Sequence, residues 1–294
     1  MAPESGTANL PHALQVAVEA ARRGGQVALD RLGDPGYRRW KGHRDVVCEA
    51  SLHVQDTIVS LLQEEMPDSE VLAEEGPEDA PVPIDAPLLW IVDPICGSLN
   101  YSRGIPHFAV SIALRAAGAI QVSVVFDPCT GDLFEATVET PATLNGRKIF
   151  VEHDLEGNEA WGEAVLGSDW PRGGQRRKQA RLIIDELLDQ VCECNLMGSP
   201  ALGICNVAAG RLHAYWHLDL RIWDIAAASL ILERAGGLFT NIQGSSWLFS
   251  DGGYIASNHV IHGWAQDAIR AVLSEELFDP ARVAGNEGAD KSSA

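Results

Sequence analysis

The segment Trp90-Ile91-Val92-Asp93-Pro94-Ile95-Cys96-Gly97-Ser98-Leu99-Asn100-Tyr101 constrains this chain more than any other. An apolar run that ends in Asp-Pro-Ile and then meets Gly-Ser predicts a buried strand that delivers an acid into a tight turn, with a helix starting directly after it. Such a turn suits phosphate. Free backbone N–H groups at Gly97 and Ser98 point at an anion, and Asp93 holds a hard cation beside it.

Helical and strand periodicities alternate along the rest of the chain. Leu14, Val18, Ala21 and Ala28 mark an amphipathic helix over 12–31, and Ile58, Leu61 and Leu62 mark a second over 50–65. Strands are predicted at 69–73 and 88–92, then at 108–115, 120–127 and 132–138 as an antiparallel sheet. Near residue 150 the pattern changes. It becomes strand 164–170, helix 179–188, strand 191–197, a helix from Gly198-Ser199-Pro200 to Ala209, strand 212–218, a helix over 223–235 stopped by Gly236-Gly237, strand 254–257 and a last helix over 259–277. Two lobes are expected. The first, 1–150, carries the metal and phosphate loop, and the second, 151–278, completes the site; 279–294 reads as a disordered polar tail.

Composition removes some functions. Forty-one acidic against 22 basic residues give a formal net charge of −19 over 294 residues, which works against nucleic acid or an anionic membrane as a partner, since both need a positive field. Residues 1–10 lack a basic start and an apolar core, and no apolar run approaches the roughly 18 residues of a membrane span. A cytoplasmic location is expected. The six cysteines show no CxxC spacing and read as reduced thiols, mostly in the core; Cys192 and Cys194 share one face of a strand and read as two buried thiols rather than a metal pair.

Glu74-Glu75, Asp93 and Asp224 each stand at the end of an apolar element, where carboxylates distant in sequence converge and select Mg²⁺ or a similar hard cation. Each has a plainer reading alone: Asp224 as a helix N-cap, Glu74-Glu75-Gly76 as a solvated turn. The basic stretch Arg172–Arg181 steers an anion, contacts a partner subunit, or forms a solvated face, the last being the usual case. Trp90, Trp216 and Trp223 default to core packing.

Taken together, the opening segment, Ala73-Glu74-Glu75-Gly76, Gly104-Ile105-Pro106-His107-Phe108-Ala109-Val110-Ser111, and Trp223-Asp224-Ile225-Ala226-Ala227 with Glu233-Arg234-Ala235-Gly236-Gly237 resemble the inositol monophosphatase family. The likeness spans about 13–275. It lies within the Mg²⁺-dependent, lithium-sensitive phosphatases that include fructose bisphosphatases. The resemblance implies an α/β (α+β) fold, a layered αβαβα sandwich, usually as a homodimer. It also implies that two or three Mg²⁺ ions clamp a phosphate while an activated water attacks in line. Carried over, Glu74 is a catalytic residue and ligand of the first metal, Asp93 the bridging ligand, the Ile95 carbonyl a further ligand, and Asp224 a ligand of the second metal. Gly97 and Ser98 match the phosphate turn, with Ser98, also a catalytic residue, replacing a threonine and keeping its hydroxyl, while Ser199, Pro200 and His217 fall where substrate is held.

The departures bear on function. Cys96 stands where the family has its second aspartate, and Ser51 replaces an acid that supports water activation. A neutral thiol is a poor Mg²⁺ ligand, and a thiolate favours softer ions such as Zn²⁺; Mn²⁺ is a further candidate. Cys96, Pro200 and His217 together replace the three contacts that hold a polyol, which argues against inositol phosphate. Cys96 with His217 as base forms an alternative catalytic pair, less favoured than a thiol filling the space of a lost ligand.

Three functions follow. The first, preferred, is a metal-dependent phosphatase acting on a small phosphorylated metabolite other than inositol phosphate. The second is a repurposed enzyme catalysing a different reaction, and the third is a non-catalytic pseudophosphatase.

Overall fold

The computed structural model describes residues 9–76, 83, 85–155, 160–246 and 252–278; the tail expected over 279–294 lies outside them. In chain order the elements are α1 (Leu10–Asp30), β1 (Arg38–Gly42), β2 (Asp45–Cys48), α2 (Glu49–Glu65), β3 (Glu70–Ala73), β4 (Leu88–Cys96) and the single turn α3 (Ser98–Ser102). Then come β5 (Ala109–Ala116), β6 (Ala119–Asp127), β7 (Asp132–Thr137), β8 (Thr143–Leu144), β9 (Arg147–Lys148), β10 (Val165–Ser168), α4 (Gly174–Leu188), β11 (Glu193–Leu196) and α5 (Pro200–Ala208). The chain closes with β12 (Ala214–Leu220), α6 (Ile222–Arg234), β13 (Leu238–Asn241), β14 (Gly252–Ser257) and α7 (His262–Phe278).

A seven-stranded sheet runs in the order β3-β4-β5-β6-β7-β8-β9 and is antiparallel except at β3–β4. A five-stranded sheet runs β11-β10-β12-β14-β13, with β10 parallel to both its neighbours. Strands alternate their side chains between two faces, and the sequence uses both. On β5, Val110, Ile112 and Leu114 pack under α1 and α2, while Ala109 and Ala113 face α5 and α6. Because both faces are covered, β4 is apolar almost throughout, so no period-2 signal survives in it.

The layers follow. Helices α1 and α2 cover one face of the large sheet, α5 and α6 fill the space between the sheets, and α4 and α7 cover the far face of the small one. This is the αβαβα sandwich. Helix α1 starts at Asn9, whose side chain accepts the His12 N–H at 3.2 Å, and presents small residues inward. A Cβ on Gly24 would stand 2.7 Å from Ile58, so glycine there lets α1 and α2 approach closely.

Three expectations change. Strand β4 continues to Cys96 rather than stopping at Val92, and α4 begins at Gly174 rather than Gln179. Cys192 is exposed and Cys194 half-buried, because β11 is an edge strand covered only in part; Cys48, Cys96 and Cys205 are the buried thiols. Among the described residues no helix is long and apolar enough to cross a membrane.

Candidate active site

Strand β4 delivers its acid through a defect in the sheet. Asp93 pairs with Ser111 and Cys96 with Ala109, so β4 carries one extra residue between them. Side chains three apart on a regular strand point to opposite faces; the bulge turns Asp93 and Cys96 to the same side. Pro94, with no N–H for a ladder, sits inside it. The Ile95 N–H folds back onto Asp93 Oδ1 at 3.0 Å. Gly97 then takes φ +115°. A Cβ there would lie 3.0 Å from the Gly198 carbonyl and 3.1 Å from the His107 carbonyl, so a side chain would push the turn apart. In α3 the Ser98 hydroxyl donates to the Ile95 carbonyl at 3.0 Å, and Asn100 Nδ2 donates to the carbonyls of Met197 at 2.7 Å and His107 at 3.0 Å.

Asp224 comes from the first turn of α6. Its Oδ2 accepts the N–H of the N-cap residue Arg221 at 2.8 Å, so Asp224 is not the N-cap but the third helical residue, reaching back as in a capping box while it faces the site. Ligand atoms of Asp93, Cys96 and Asp224 lie within 4.8 Å of one another. Glu74, directly after β3, is buried and its charge acts on the Asp93 carboxyl. Glu74, Asp93, Ile95, Gly97, Ser98, Pro200, His217 and Asp224 thus line one cleft of about 480 Å³. Cys96 and Ser199 lie buried beside it, joined by the Ser199 hydroxyl donating to the Cys96 carbonyl at 2.8 Å.

Burial, reinforced by Glu74 and then Asp224, holds the Asp93 carboxyl well above the usual range. Burial pushes Asp224 up to about 7, with Arg172 pulling down and Glu74 pushing up. Glu75 is likewise raised to about 7 by burial and by Glu74, against Lys41. These acids repel one another in a poorly solvated space and gain from any cation among them.

Two cations close on these acids: Lys41, which the sequence does not mark, and Arg172, the first residue of the basic stretch read as steering an anion, contacting a partner subunit or forming a solvated face. Lys41 Nζ lies 2.9 Å from both Glu74 Oε1 and Glu75 Oε2. Burial alone would lower the Lys41 ammonium, but Glu74, Glu75 and Asp45 outweigh it and raise it. Arg172 reaches Asp45 at 3.5 Å and Glu74 at 3.9 Å. Of the basic stretch, Arg176, Lys178 and Arg181 are solvated, whereas Arg172 and Arg177 turn into the cleft. Asp169 also emerges. It accepts from the Gly198 N–H and from the Tyr215 hydroxyl at 2.8 Å, fixing the turn that leads to Pro200.

Cys96 Sγ accepts the Ala201 N–H at 3.3 Å, with the Ser199 hydroxyl oxygen 3.5 Å away and its proton on the Cys96 carbonyl. Burial, with Asp93 and Asp224 nearby, nevertheless keeps the thiol protonated by raising its pKa well above the ordinary value. His217 is lowered to about 3 by burial and Arg172. Its Nδ1 accepts the Asp219 N–H at 3.0 Å, so the neutral ring carries its proton on Nε2. The Ser51 hydroxyl and Glu75 Oε1 are buried without a hydrogen-bond partner.

The donor set fits one hard cation. Glu74, Asp93 and Asp224 bring carboxylate oxygens to one region, which suits Mg²⁺ or Mn²⁺. A second such ion fits less well, since its added ligand would be the protonated Cys96 thiol.

Comparisons with known proteins agree with this geometry. The model of the inositol monophosphatase family matches residues 9–276. The chain is 32% identical over 279 residues to the Nus factor SuhB of Pasteurella multocida, covering 90% of this chain and 98% of that one. It is 33% identical over 251 residues to the Nus factor SuhB of Pseudomonas aeruginosa, covering 83% and 91%. Among solved structures, extragenic suppressor protein suhB from Bartonella henselae aligns with a TM-score of 0.80 at 30% identity, over 87% of this chain and 97% of that one. An IMPase from Thermotoga maritima aligns at 0.81 and 26%, over 90% and 98%. The family generally uses Mg²⁺. With a bulged strand presenting Asp93, a Gly-Ser turn beside it and Glu74 and Asp224 closing in, the chain belongs to the inositol monophosphatase family.

Proposed function

We propose that the protein is a metal-dependent phosphatase of a small phosphorylated molecule other than inositol phosphate, working with one hard cation rather than several. The observation that carries this is the buried Asp93 cluster opening into the same cleft as the Gly97–Ser98 turn. In this account Glu74, Asp93 and Asp224 hold Mg²⁺, with Mn²⁺ as a substitute and Zn²⁺ favoured only where Cys96 becomes a ligand. When bound, the ion polarises the phosphoryl oxygens and offsets charge that develops in the transition state.

The chain's own residues do the rest. Backbone N–H groups at Gly97 and Ser98 hold the phosphate, and Arg172 draws the anion into an otherwise acidic cleft. Glu75, behind Glu74 and outside the cleft lining, tunes the floor by sharing Lys41 with Glu74. Cys96 fills space and anchors Ala201, and His217 shapes the wall; neither acts as nucleophile or base, because the thiol stays protonated and the imidazole lone pair already accepts the Asp219 N–H.

Polyol recognition is disfavoured by the same residues. Pro200 offers no N–H, and Cys96 and His217 offer no carboxylate. The test is phosphate release from a panel of phosphomonoesters with Mg²⁺, Mn²⁺ or Zn²⁺. Turnover with Mg²⁺ or Mn²⁺, weakest on inositol 1-phosphate, supports the account; inactivity with all three ions removes it. We place the protein in the cytoplasm as a homodimer, which sedimentation checks.

A second reading is favoured by the name Nus factor borne by the relatives. It is a binding role in a transcription assembly, made through protein contacts, since a charge of −19 opposes direct nucleic-acid binding. Co-purification with transcription proteins while phosphate release stays absent selects it.

A further inference from the structure

Outside the acidic floor the cleft changes chemistry. Among the described residues ten large apolar side chains are exposed, and five of them line this one cleft: Trp40, Leu99, Trp170, Leu196 and Met197. Single exposed apolar residues are ordinary on a surface, but half of them gathered at one mouth form a patch. They come from four separate stretches of chain: β1, α3, the segment between β10 and α4, and the end of β11 with the turn after it. Trp170 is 40% exposed, with the Arg177 guanidinium 5.1 Å from its ring centroid. Arg177 is itself held by its N–H donating to the Pro171 carbonyl at 3.3 Å.

The volume and the charge say what fills this mouth. At about 480 Å³ the cleft falls in the range of roughly 300–1,000 Å³ typical of small-molecule sites, well beyond the needs of a phosphate alone. Arg44, Arg172 and Arg177 line the cleft together with the Gly97–Ser98 turn, so an anionic inner end of a ligand finds cationic partners there among the carboxylates of the floor. Its outer end meets indole, thioether and aliphatic surface. Flat unsaturated rings stack on indole and guanidinium faces, and they bury area there that a polyhydroxylated ring leaves wet.

We propose that the cleft takes a phosphate monoester whose alcohol carries a flat aromatic ring, with the phosphate at Gly97–Ser98 and the ring against Trp170 and the apolar rim. The phosphate end rests on the phosphatase reading above, while the ring end rests on the rim alone. Trp170 is here a specificity-determining residue.

The probes are 1-naphthyl phosphate and glycerol 1-phosphate, presented to the full chain with Mg²⁺. Affinity is read by isothermal titration calorimetry and turnover by phosphate release. The expected result is a preference of about tenfold or more for the naphthyl ester in Kd, collapsing in Trp170→Ala and kept in Trp170→Phe. Equal affinity for the two esters, or a preference untouched by Trp170→Ala, overturns the proposal. A naphthyl preference in binding without turnover of either ester supports the ring site and sinks the phosphatase reading. Turnover of both esters with equal kcat/KM does the reverse. A rim buried between two copies of the chain, seen as a dimer that dissociates in Trp170→Ala while the naphthyl preference is absent, also overturns it.

Discussion

Replacing Cys96 with aspartate tests the electrostatics of the site. The new carboxylate would join Asp93 and Asp224, whose ligand atoms with Cys96 Sγ lie within 4.8 Å of one another. At that separation, with an effective dielectric constant of about 20, each pair of full charges repels by roughly 3.5 kcal/mol. Protonation offers an escape: keeping an ordinary carboxyl neutral at pH 7 costs about 4 kcal/mol, which caps the penalty. The Ala201 N–H, which now donates to Sγ, returns about 1–2 kcal/mol by donating to the carboxylate. The net loss without metal is about 2–3 kcal/mol, or roughly 5 °C in Tm for a chain of this size. An ion at one hundred times its Kd stabilises by about 2.7 kcal/mol, so Mg²⁺ recovers the loss. Scanning calorimetry in EDTA and in excess Mg²⁺ reads both effects. Cys96→Asp melting with the wild type in EDTA, or gaining no more from Mg²⁺ than the wild type does, refutes the reasoning.

Other consequences are as direct. Lys41→Met frees Glu74 and Glu75 from the ammonium and should raise Mg²⁺ affinity about tenfold, since the ion no longer displaces a charge-assisted pair; unchanged affinity by calorimetry means that Lys41 and the ion do not share Glu74. Gly97→Ala, forced to φ +115° against the carbonyls of Gly198 and His107, should cost about 1–3 kcal/mol and weaken binding of inorganic phosphate; a wild-type Tm contradicts this. Burial raises the Asp169 carboxyl to about 6 against its hydrogen bonds from Gly198 and Tyr215. The folded state then binds that proton more tightly than the unfolded chain. The carboxyl therefore favours the fold at low pH and loses that contribution as pH rises from about 4 to about 6. Relative to Asp169→Asn, wild-type stability should fall by about 3 kcal/mol across that window, and a constant difference in urea unfolding rules this out.

The sequence made the frame legible because most of it rests on local period. The helices α1 and α2 and the strands from β4 to β7 stand within a few residues of where their apolar spacing puts them. The hairpin of β1 and β2 was invisible, since β1 is exposed along nearly its whole length and has no apolar face to reveal it. That omission hid Lys41. The pairing of Arg172 was hidden for a related reason: its partners Asp45 and Glu74 lie far away in sequence, and an ion pair between distant segments leaves no local pattern. The motif residues Asp93, Gly97, Ser98 and Asp224 were readable, but the bulge that brings Cys96 beside Asp93 was not, because the count of residues opposite each other depends on the partner strand. The cleft mouth was equally silent, its five apolar residues coming from four distant stretches.

In the proposed phosphatase Glu74, Asp93 and Asp224 hold one hard cation, and Cys96 removes the place for a second. Calorimetric titration of the metal-free full chain with Mn²⁺, repeated on Asp93→Asn, tests this most directly. The expected result is a single ion per chain in the wild type and no binding in Asp93→Asn. Two ions per chain, or binding that survives the loss of the Asp93 carboxylate, would contradict it.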